Sequence, residues 1–244
     1  MKISFVIPAY NEEKYIGQCL DSVLSEIETS QAEAEVIVVN NASTDRTREI
    51  VSSYPDVRII DEMQKGLVKA RQAGFSASSG ELIANVDADV ILAPGWIEKA
   101  LKQFTGNKKL VALSGPYIYY DLSLWTNCLV WAYYSVGYLI HSYNQYVLGK
   151  GAMIQGGNFV LRRQALEIIG GFDVRIDFYG EDTDIAKRIQ KTGQVKFSFI
   201  FPMRTSARRF SQEGLIPTAF KYVINHFWVI IFQKPFSKNY NDIR

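Results

Sequence analysis

Residues 82–89 read Leu-Ile-Ala-Asn-Val-Asp-Ala-Asp, a short apolar run that ends in two carboxylates. A run of this length, rich in aliphatic residues, predicts a strand buried on both faces of a sheet. Asp87, Ala88 and Asp89 then lie at the carboxyl end of that strand. Magnesium commonly takes one or two protein carboxylates and keeps its other positions for phosphate and water. A solvated turn would also explain the pair, but the preceding buried strand favours a cation that holds a substrate phosphate.

The first half of the chain repeats this pattern of short apolar runs separated by amphipathic segments. Further strands are predicted over residues 3–7, 36–39 and 57–60, with helices over 15–27, from about 45 through 51, and over 65–79. This alternation predicts an α/β fold with a mainly parallel sheet, right-handed crossovers and helices on both faces. Ligands of such sheets bind at the carboxyl ends of the strands. The segments that follow the strands therefore hold the candidate functional residues.

The second half departs from this pattern after a helix predicted over 94–106 and a strand over 110–118. Residues 122–149 contain no Asp, Glu, Lys or Arg and are crowded with Trp and Tyr. The stretch is long enough to span a bilayer, but its Ser, Thr, Asn and Gln make it too polar for that. A helix at a membrane surface, a helix over a substrate cleft and an internal core helix all fit this composition.

Glu181 and Asp182 open a helix that the pattern predicts over 181–191. Acids in the first turn and bases near the end complement the helix dipole, which would by itself explain them. A catalytic role is the alternative, because paired acids in a cleft can act as acid or base.

The C-terminal part of the chain combines positive charge with apolar residues. From residue 204 onward there are seven Lys and Arg against one Glu and one Asp, which leaves +5, and residues 215–232 are apolar and aromatic. This combination favours contact with anionic lipid headgroups.

The overall charge argues against nucleic acid as a partner. The chain has 244 residues with 27 Lys and Arg against 25 Asp and Glu, a formal net charge of +2. A dedicated nucleic-acid binder shows a strongly basic domain instead. Met1-Lys2 runs straight into the first strand without the apolar region of a signal peptide, so we expect a cytoplasmic protein, peripheral at the inner face of the membrane.

Four motifs, taken in order, resemble the family 2 glycosyltransferases of the GT-A fold. They are Ser4–Glu13 (SFVIPAYNEE), Val38–Asp45 (VVNNASTD), Gly80–Asp89 (GELIANVDAD), and Gly170–Asp173 (GGFD) leading to Gly180–Asp182 (GED). Four such motifs together are far more specific than any one of them. The resemblance implies one catalytic domain over 1–214, with a nucleotide-sugar half at 1–115 and an acceptor-side half at 116–214. The apolar and basic segment 215–244 follows it.

The resemblance also implies roles for individual residues, position by position. Those that would line the nucleotide and diphosphate pocket are Pro8, Tyr10, Glu12, Asn41, Asp45, Arg71, Asp87 and Ala88. Asp89 would bind a divalent metal, Mn²⁺ or Mg²⁺, with Asp87 in or near its shell. Asp182 would be the general base, with Glu181 beside it. Arg208 and Arg209 would steady the diphosphate, although a solvated basic turn explains them equally well.

These roles describe transfer of one sugar from a nucleoside-diphosphate sugar, with a UDP-sugar favoured, to an acceptor hydroxyl. A cation neutralises the leaving diphosphate, and a carboxylate on the opposite side deprotonates the hydroxyl as it attacks. In-line attack of this kind inverts the anomeric centre, through a transition state like that of glycoside hydrolysis. A lipid-linked acceptor or a cell-surface glycan precursor fits the apolar segments.

Two departures from the family pattern bear on function. Asn40-Asn41 stands where many relatives have paired Asp, so an amide would do any base or ribose recognition there. The Gln-x-x-Arg-Trp signature of processive synthases is missing, and Ala207-Arg208-Arg209-Phe210 lies in the comparable region. We therefore expect one transfer per encounter. His226 is a candidate third metal ligand or simply a packed side chain.

Two other functions remain open. A sugar nucleotidyltransferase would show a Gly-rich phosphate loop after the first strand, and Pro8-Ala9-Tyr10-Asn11 is not one. A catalytically inactive nucleotide-sugar sensor or scaffold is the second alternative, kept open by Asn40-Asn41 and opposed by the presence of both Asp89 and Asp182.

Overall fold

The computed structural model describes residues 1–147, 152–176 and 180–214, and within them it has ten strands and eight helices. The strands are β1 (Ile3–Ala9), β2 (Ala34–Asn40), β3 (Val57–Asp61), β4 (Leu82–Val86), β5 (Val90–Leu92), β6 (Leu110–Ser114), β7 (Tyr117–Tyr119), β8 (Asn158–Arg162), β9 (Gln194–Phe197) and β10 (Met203–Thr205). The helices are α1 (Ile16–Ser30), α2 (Thr47–Ser52), α3 (Leu67–Ala77), α4 (Trp96–Gly106), α5 (Leu124–Val147), α6 (Arg163–Ile168), α7 (Glu181–Ile189) and α8 (Arg208–Glu213).

Seven strands form the central sheet, in the order β3-β2-β1-β4-β8-β6-β9. The first four pair in parallel, β9 pairs in parallel with β6, and β8 runs antiparallel to both of its neighbours. The expectation of a mainly parallel sheet is therefore confirmed. Because β1, β2 and β4 are adjacent and parallel, the loops that follow them meet at one edge of the sheet.

Helices cover both faces of the sheet, as the continuous apolar runs predicted. All residues of β1 and β4 are buried. Phe5 of β1 points to the face covered by α1 and α4, where it packs against Trp96, and Val6 points to the face covered by α3 and α7. Each strand thus contributes to two cores, which fixes its register and the position of the residues after it.

The prediction of one continuous strand over 110–118 is wrong. The segment divides into β6, in the central sheet, and β7, in a second sheet of order β5-β10-β7. Gly115 and Pro116 lie between them. A Cβ at Gly115 would collide with the carbonyl oxygen of Phe201, so the chain bends here where two backbones touch. Sequence periodicity does not report such a contact.

The long uncharged segment forms α5, which lies with one face on the protein. Trp131, Tyr134 and Tyr138 pack against Phe197 and Phe199, whereas much of the opposite face is exposed. The interpretation as an internal core helix is therefore wrong. Among the described residues, no helix is long and apolar enough to cross a membrane. The predictions for 215–244, including His226, concern residues outside the described ones.

Candidate active site

Asp87 and Asp89 occupy the short turn between β4 and β5, and each faces an arginine. Asp87 Oδ1 lies 3.1 Å from Nη2 of Arg71. Asp89 Oδ2 lies 3.2 Å from Nη2 of Arg208, and its Oδ1 accepts a hydrogen bond from Thr205 Oγ1 at 3.4 Å. The pair predicted from sequence therefore sits in a charged cluster at the carboxyl edge of the sheet, which excludes a plain solvated turn.

Arg71 connects this acid pair to the second one. The guanidinium projects from α3, is 1% exposed, and contacts Asp87 on one side and Oε2 of Glu181, at 2.5 Å, on the other. Burial lowers the pKa of Arg71, but the charges of Glu181 and Asp87 outweigh burial and raise it well above its usual range. Both sides of the guanidinium thus contact carboxylates, and a role of Arg71 toward a diphosphate stays a prediction.

Glu181 and Asp182 differ in environment although they are neighbours. Glu181 is 9% exposed, and burial raises its pKa to about 7 against the opposing charge of Arg71. Asp182 is more accessible, and its Oδ1 accepts a hydrogen bond from the Thr183 amide at 2.7 Å. Burial, with a contribution from the charge of Asp182, raises the pKa of Tyr133 on α5. Asp182 is therefore the accessible acid of the two.

The glycine pair Gly156-Gly157, which the sequence analysis did not identify, lies against both acid pairs. Gly157 has φ +76°, and a Cβ there would collide with Asp87 Oδ2 and Tyr117 Oη. A Cβ at Gly156 would lie 2.8 Å from Glu181 Oε1. The backbone thus passes against both acid pairs, and at Gly157 the positive φ and the close approach of Asp87 and Tyr117 favour glycine. The doublet before a strand was the available signal.

Tyr117 is a second residue that the sequence reading missed. Its hydroxyl donates to the Gly156 carbonyl at 2.6 Å and lies 3.3 Å from Asp87 Oδ2. Burial, followed by the charges of Asp87 and Asp89, raises the pKa of Tyr117 well above its usual value. The hydroxyl therefore stays protonated and fixes the glycine loop beside Asp87.

Glu12 and Arg208 join the first loop of the sheet to α8. Glu12 is 2% exposed and accepts two hydrogen bonds from Arg208, at 2.7 Å from Nη1 and 2.5 Å from Nη2. The same guanidinium lies 4.8 Å from the centre of the Tyr15 ring and contacts Asp89. Arg208 is thus part of the site and not a solvated turn, and Arg209 beside it is half-buried.

Asn41 and Asp45 lie in the loop after β2 and hold backbone. The Asn41 amide donates to the carbonyls of Glu62 and Gln64, both at 2.9 Å, and its oxygen accepts from Gly66 N at 2.7 Å. Its side chain therefore shapes the loop after β3, and its predicted place near a base or ribose stays a prediction.

Asp45 has a comparable role at the start of α2. Its carboxylate accepts hydrogen bonds from the Thr47 amide and hydroxyl and from the Glu13 amide. Burial raises the pKa of Asp45, but the hydrogen bonds lower it by more than burial raises it. The pKa of Asp45 is therefore below its usual value. The carboxylate thus ties the loop after β1 to the loop after β2.

Pro8 and Tyr10, the other residues predicted to line the nucleotide pocket, lie at the end of β1. Pro8 is buried within the strand. Tyr10 is partly exposed, and Nζ of Lys65 lies 3.8 Å from the centre of its ring. Lys65, which the sequence reading did not single out, thereby brings a cation over an aromatic face where a base could stack.

The acid pair after β4 fits a divalent cation in the chemistry of its donors. Both Asp87 and Asp89 offer carboxylate oxygens, the ligands that Mg²⁺ and Mn²⁺ prefer. Among the described residues, no group of three or more His, Cys, Asp or Glu is arranged to hold a metal. A cation here would complete its coordination with diphosphate oxygens and water, as Mg²⁺ does in nucleotide sites.

The sheet order and the two acid pairs define a GT-A glycosyltransferase fold. The chain belongs to glycosyltransferase family 2, since the model of that family, described as glycosyl transferase family 2, matches residues 4–170. Of the curated relatives, a Bacillus subtilis protein named as a probable glycosyltransferase is 28% identical over 210 residues, 79% of this chain and 47% of that protein. The chondroitin synthase of Pasteurella multocida is 35% identical over 115 residues, 46% of this chain and 12% of the synthase. The chain thus spans less than half the length of either relative.

Solved structures support the same fold. A mannosyltransferase from Pyrobaculum calidifontis, in complex with GDP-Man and Mn²⁺, has a TM-score of 0.71 at 20% identity, over 94% of this chain and 64% of that chain. S. aureus TarS in complex with UDP-GlcNAc has a TM-score of 0.64 at 19% identity, over 98% and 68% respectively. At these identities the likeness shows the fold alone.

Proposed function

We propose that the protein is a metal-dependent, inverting glycosyltransferase that moves one sugar from a nucleoside-diphosphate sugar to an acceptor hydroxyl. The observation that carries the proposal is the Asp87–Arg71–Glu181 bridge, in which one buried guanidinium contacts a carboxylate of each acid pair. Donor-side and acceptor-side acids therefore belong to one site. Family membership and the Mn²⁺ and GDP-Man bound to a structural neighbour support the same conclusion.

On the donor side, Asp87 and Asp89 would hold Mn²⁺ or Mg²⁺, which neutralises the leaving diphosphate when bound. Arg208 lies against Asp89 and supplies a second positive charge at the same position. Tyr10 and Lys65 offer an aromatic face and a cation for the nucleotide. We favour a UDP-sugar as donor, although structural neighbours were solved with both GDP-Man and UDP-GlcNAc.

On the acceptor side, Asp182 is the general base, with Glu181 beside it. Asp182 is accessible and lies at the start of α7, with an amide hydrogen bond on Oδ1 that leaves Oδ2 to take the proton of the acceptor hydroxyl. Glu181 is enclosed and bound to Arg71. A base opposite the leaving diphosphate gives in-line displacement and inversion. The acceptor is a lipid-linked molecule or a cell-surface glycan precursor, met by a cytoplasmic enzyme at the inner membrane face.

The proposal is tested by thermal unfolding with UDP, GDP, TDP and CDP, each with and without Mn²⁺. A nucleotide that binds only the folded state raises the melting temperature by mass action. We expect one nucleotide to do so in a Mn²⁺-dependent way, and Asp89→Ala to abolish the rise. Asp182→Asn should keep the rise and lose transfer. If no nucleotide raises the melting temperature of the wild type, the donor site assigned here is wrong.

Turnover separates an enzyme from a nucleotide-sugar sensor or scaffold. Glycosyltransferases slowly hydrolyse a bound donor when no acceptor is present, so the wild type should release free nucleoside diphosphate and Asp182→Asn should release much less. Binding of the donor without any such release would favour the inactive alternative.

A further inference from the structure

The exposed face of α5 carries a continuous row of large apolar side chains. We call this row the α5 stripe; its members are Trp125, Leu129, Tyr133, Val136, Ile140 and Tyr143, and they are between 47% and 83% exposed. Their spacing of three or four residues places them on one side of the helix. Leu124 and Leu139, 85% and 67% exposed, extend the row. Contiguous exposed apolar surface of this extent marks an interaction site.

The α5 stripe cannot turn inward, because the opposite face of the helix is already anchored. The ring centres of Trp131 and Phe199 are 5.6 Å apart, and those of Tyr134 and Phe197 are 6.0 Å apart. Tyr134 also donates a hydrogen bond to Gln155 Oε1 at 2.9 Å. These contacts fix the rotation of the helix and keep the stripe pointing away from the protein.

We propose that the α5 stripe docks on the surface of a lipid bilayer with anionic headgroups. Its chemistry matches that environment, since Trp and Tyr combine an apolar body with a polar edge and collect where hydrocarbon meets water. No Asp, Glu, Lys or Arg occurs from residue 122 to residue 149, so no charge on this segment opposes insertion. A helix that lies in the interface, and does not cross the membrane, buries just such a face.

Positive charge begins beside the α5 stripe. Asp121, three residues before α5, accepts hydrogen bonds from the Ala207 amide at 2.7 Å and from Ser206 Oγ at 2.8 Å. The start of α8 is thereby held next to the start of α5. The sequence that follows α8, residues 215–244, contains four Lys and Arg against one Asp, a local charge of +3. Anionic headgroups are the complement of an uncharged apolar face with a basic segment at one end.

The chain's own segment 215–232 fits the stripe less well than a bilayer does. Its polar residues are Thr218, Lys221, Asn225 and His226, and the other residues are apolar or Pro. Packing this segment on the stripe would cover one of its sides and leave apolar side chains of the other side in water. A bilayer can accept both apolar surfaces at once.

The stripe leads to the acceptor side of the site. Tyr134, next to Tyr133 of the stripe, donates a hydrogen bond to Gln155 Oε1 at 2.9 Å. A Cβ at the following residue, Gly156, would lie 3.9 Å from Cβ of Asp182, so this part of α5 lies near the proposed base. If the proposed function holds, a bilayer on the stripe places the general base at the depth of the headgroups. The acceptor hydroxyl would then be carried by a molecule anchored in the membrane, and a freely dissolved glycan would not be the substrate.

The test is flotation of the full chain with phosphatidylcholine vesicles and with vesicles that also contain phosphatidylglycerol. We expect binding to the anionic vesicles, weakened by salt, and a loss of about tenfold or more in the variant Leu129→Ser/Val136→Ser/Ile140→Ser, because three apolar side chains no longer enter the interface. The control is Met63→Ser/Ile168→Ser, which removes exposed apolar side chains from the loop after β3 and from α6 and should bind like the wild type.

Fluorescence of Trp125 identifies what covers the stripe. Brominated lipid should quench the wild type more than Trp125→Phe. Equal flotation of the stripe variant and the wild type would overturn the proposal, as would no binding to either vesicle. The proposal is also wrong if Trp125 is shielded from acrylamide in the absence of lipid. Shielding that disappears on dilution would show that a second copy covers the stripe. Shielding that persists on dilution would show that the chain itself covers it. Vesicle binding is measured without the sugar donor. A lack of vesicle binding would therefore overturn only the membrane proposal, and a lack of nucleotide binding only the proposed function.

Discussion

Arg71 and Glu181 form an ion pair inside the protein, with Nη1 of the arginine 2.5 Å from Oε2 of the glutamate and side chains that are 1% and 9% exposed. The same guanidinium holds Asp87 at 3.1 Å. One positive charge thus compensates a carboxylate from each side of the site. A buried charge that loses its only nearby partner is strongly destabilising, so this arrangement makes the site sensitive to a single substitution.

Arg71→Met should lower the free energy of unfolding by about 3 kcal/mol, because the enclosed Glu181 and the partly exposed Asp87 lose their shared counter-charge. Arg71→Lys should lose less, since an ammonium keeps the charge but cannot reach both partners with a planar fork. Urea unfolding measures both. Arg46→Met is the control, because its pair with Glu49 is exposed and should matter little. Equal losses at positions 71 and 46 would contradict the buried role of Arg71.

Glu181 should make stability depend on pH between about 4.5 and 7. Burial raises its pKa from 4.5 to about 7, so in this window the native state holds a proton that the unfolded state releases. The stabilisation by this group is therefore fully present below 4.5 and is lost as pH rises toward 7. The advantage of wild type over Glu181→Gln should shrink by about 1.4 kcal/mol per pH unit there. A difference that stays constant across the window would show that Glu181 titrates normally.

Gly157→Ala should disable the acid pair, whereas Gly170→Ala should not. Both glycines have a positive φ, +76° and +77°, so alanine costs each of them about 1–2 kcal/mol of backbone strain. Only at position 157 does the new Cβ collide with Asp87 and Tyr117; at position 170 nothing lies within 4 Å. We expect the Mn²⁺-dependent rise in melting temperature with nucleotide to disappear in Gly157→Ala and to persist in Gly170→Ala. If the rise in melting temperature disappeared in both variants, backbone strain alone would explain the effect.

Glu12 and Arg208 should be coupled in stability. Arg208→Met leaves Glu12, 2% exposed, without its two guanidinium hydrogen bonds and should cost about 3 kcal/mol. Adding Glu12→Gln removes the stranded charge, so the double variant should be more stable than Arg208→Met alone. A double-mutant cycle by urea unfolding measures this coupling. Additive losses would mean that the pair contributes nothing as a pair.

The sheet was predictable from sequence because its strands are buried on both faces. The runs at 3–7 and 82–86 are continuous and largely aliphatic. In the structure they lie within the buried strands β1 and β4. The acid pair after β4 was predictable for the same reason, since the end of a buried parallel strand is a known place for ligands.

The partners of the site residues were not predictable, because they come from distant parts of the chain. Arg71 meets Glu181, and Glu12 meets Arg208, across separations that no local pattern records. Asn41 looked like a ligand contact, yet its amide closes a loop. Tyr117 and Gly157 carried a weak signal at most, because their importance lies in how closely the Gly157 backbone approaches the side chains of Tyr117 and Asp87.

The small sheet β5-β10-β7 has a consequence for the order in which the protein becomes functional during synthesis. β5 directly follows Asp89, and Val90 pairs with Thr205, which the ribosome adds roughly a hundred residues later. A nascent chain can form the parallel strands β1 to β4 early, but Asp89 has neither Thr205 nor Arg208 until the last described helix emerges. A chain that stops short of β10 should therefore fold much of its sheet and still be unable to hold a nucleotide.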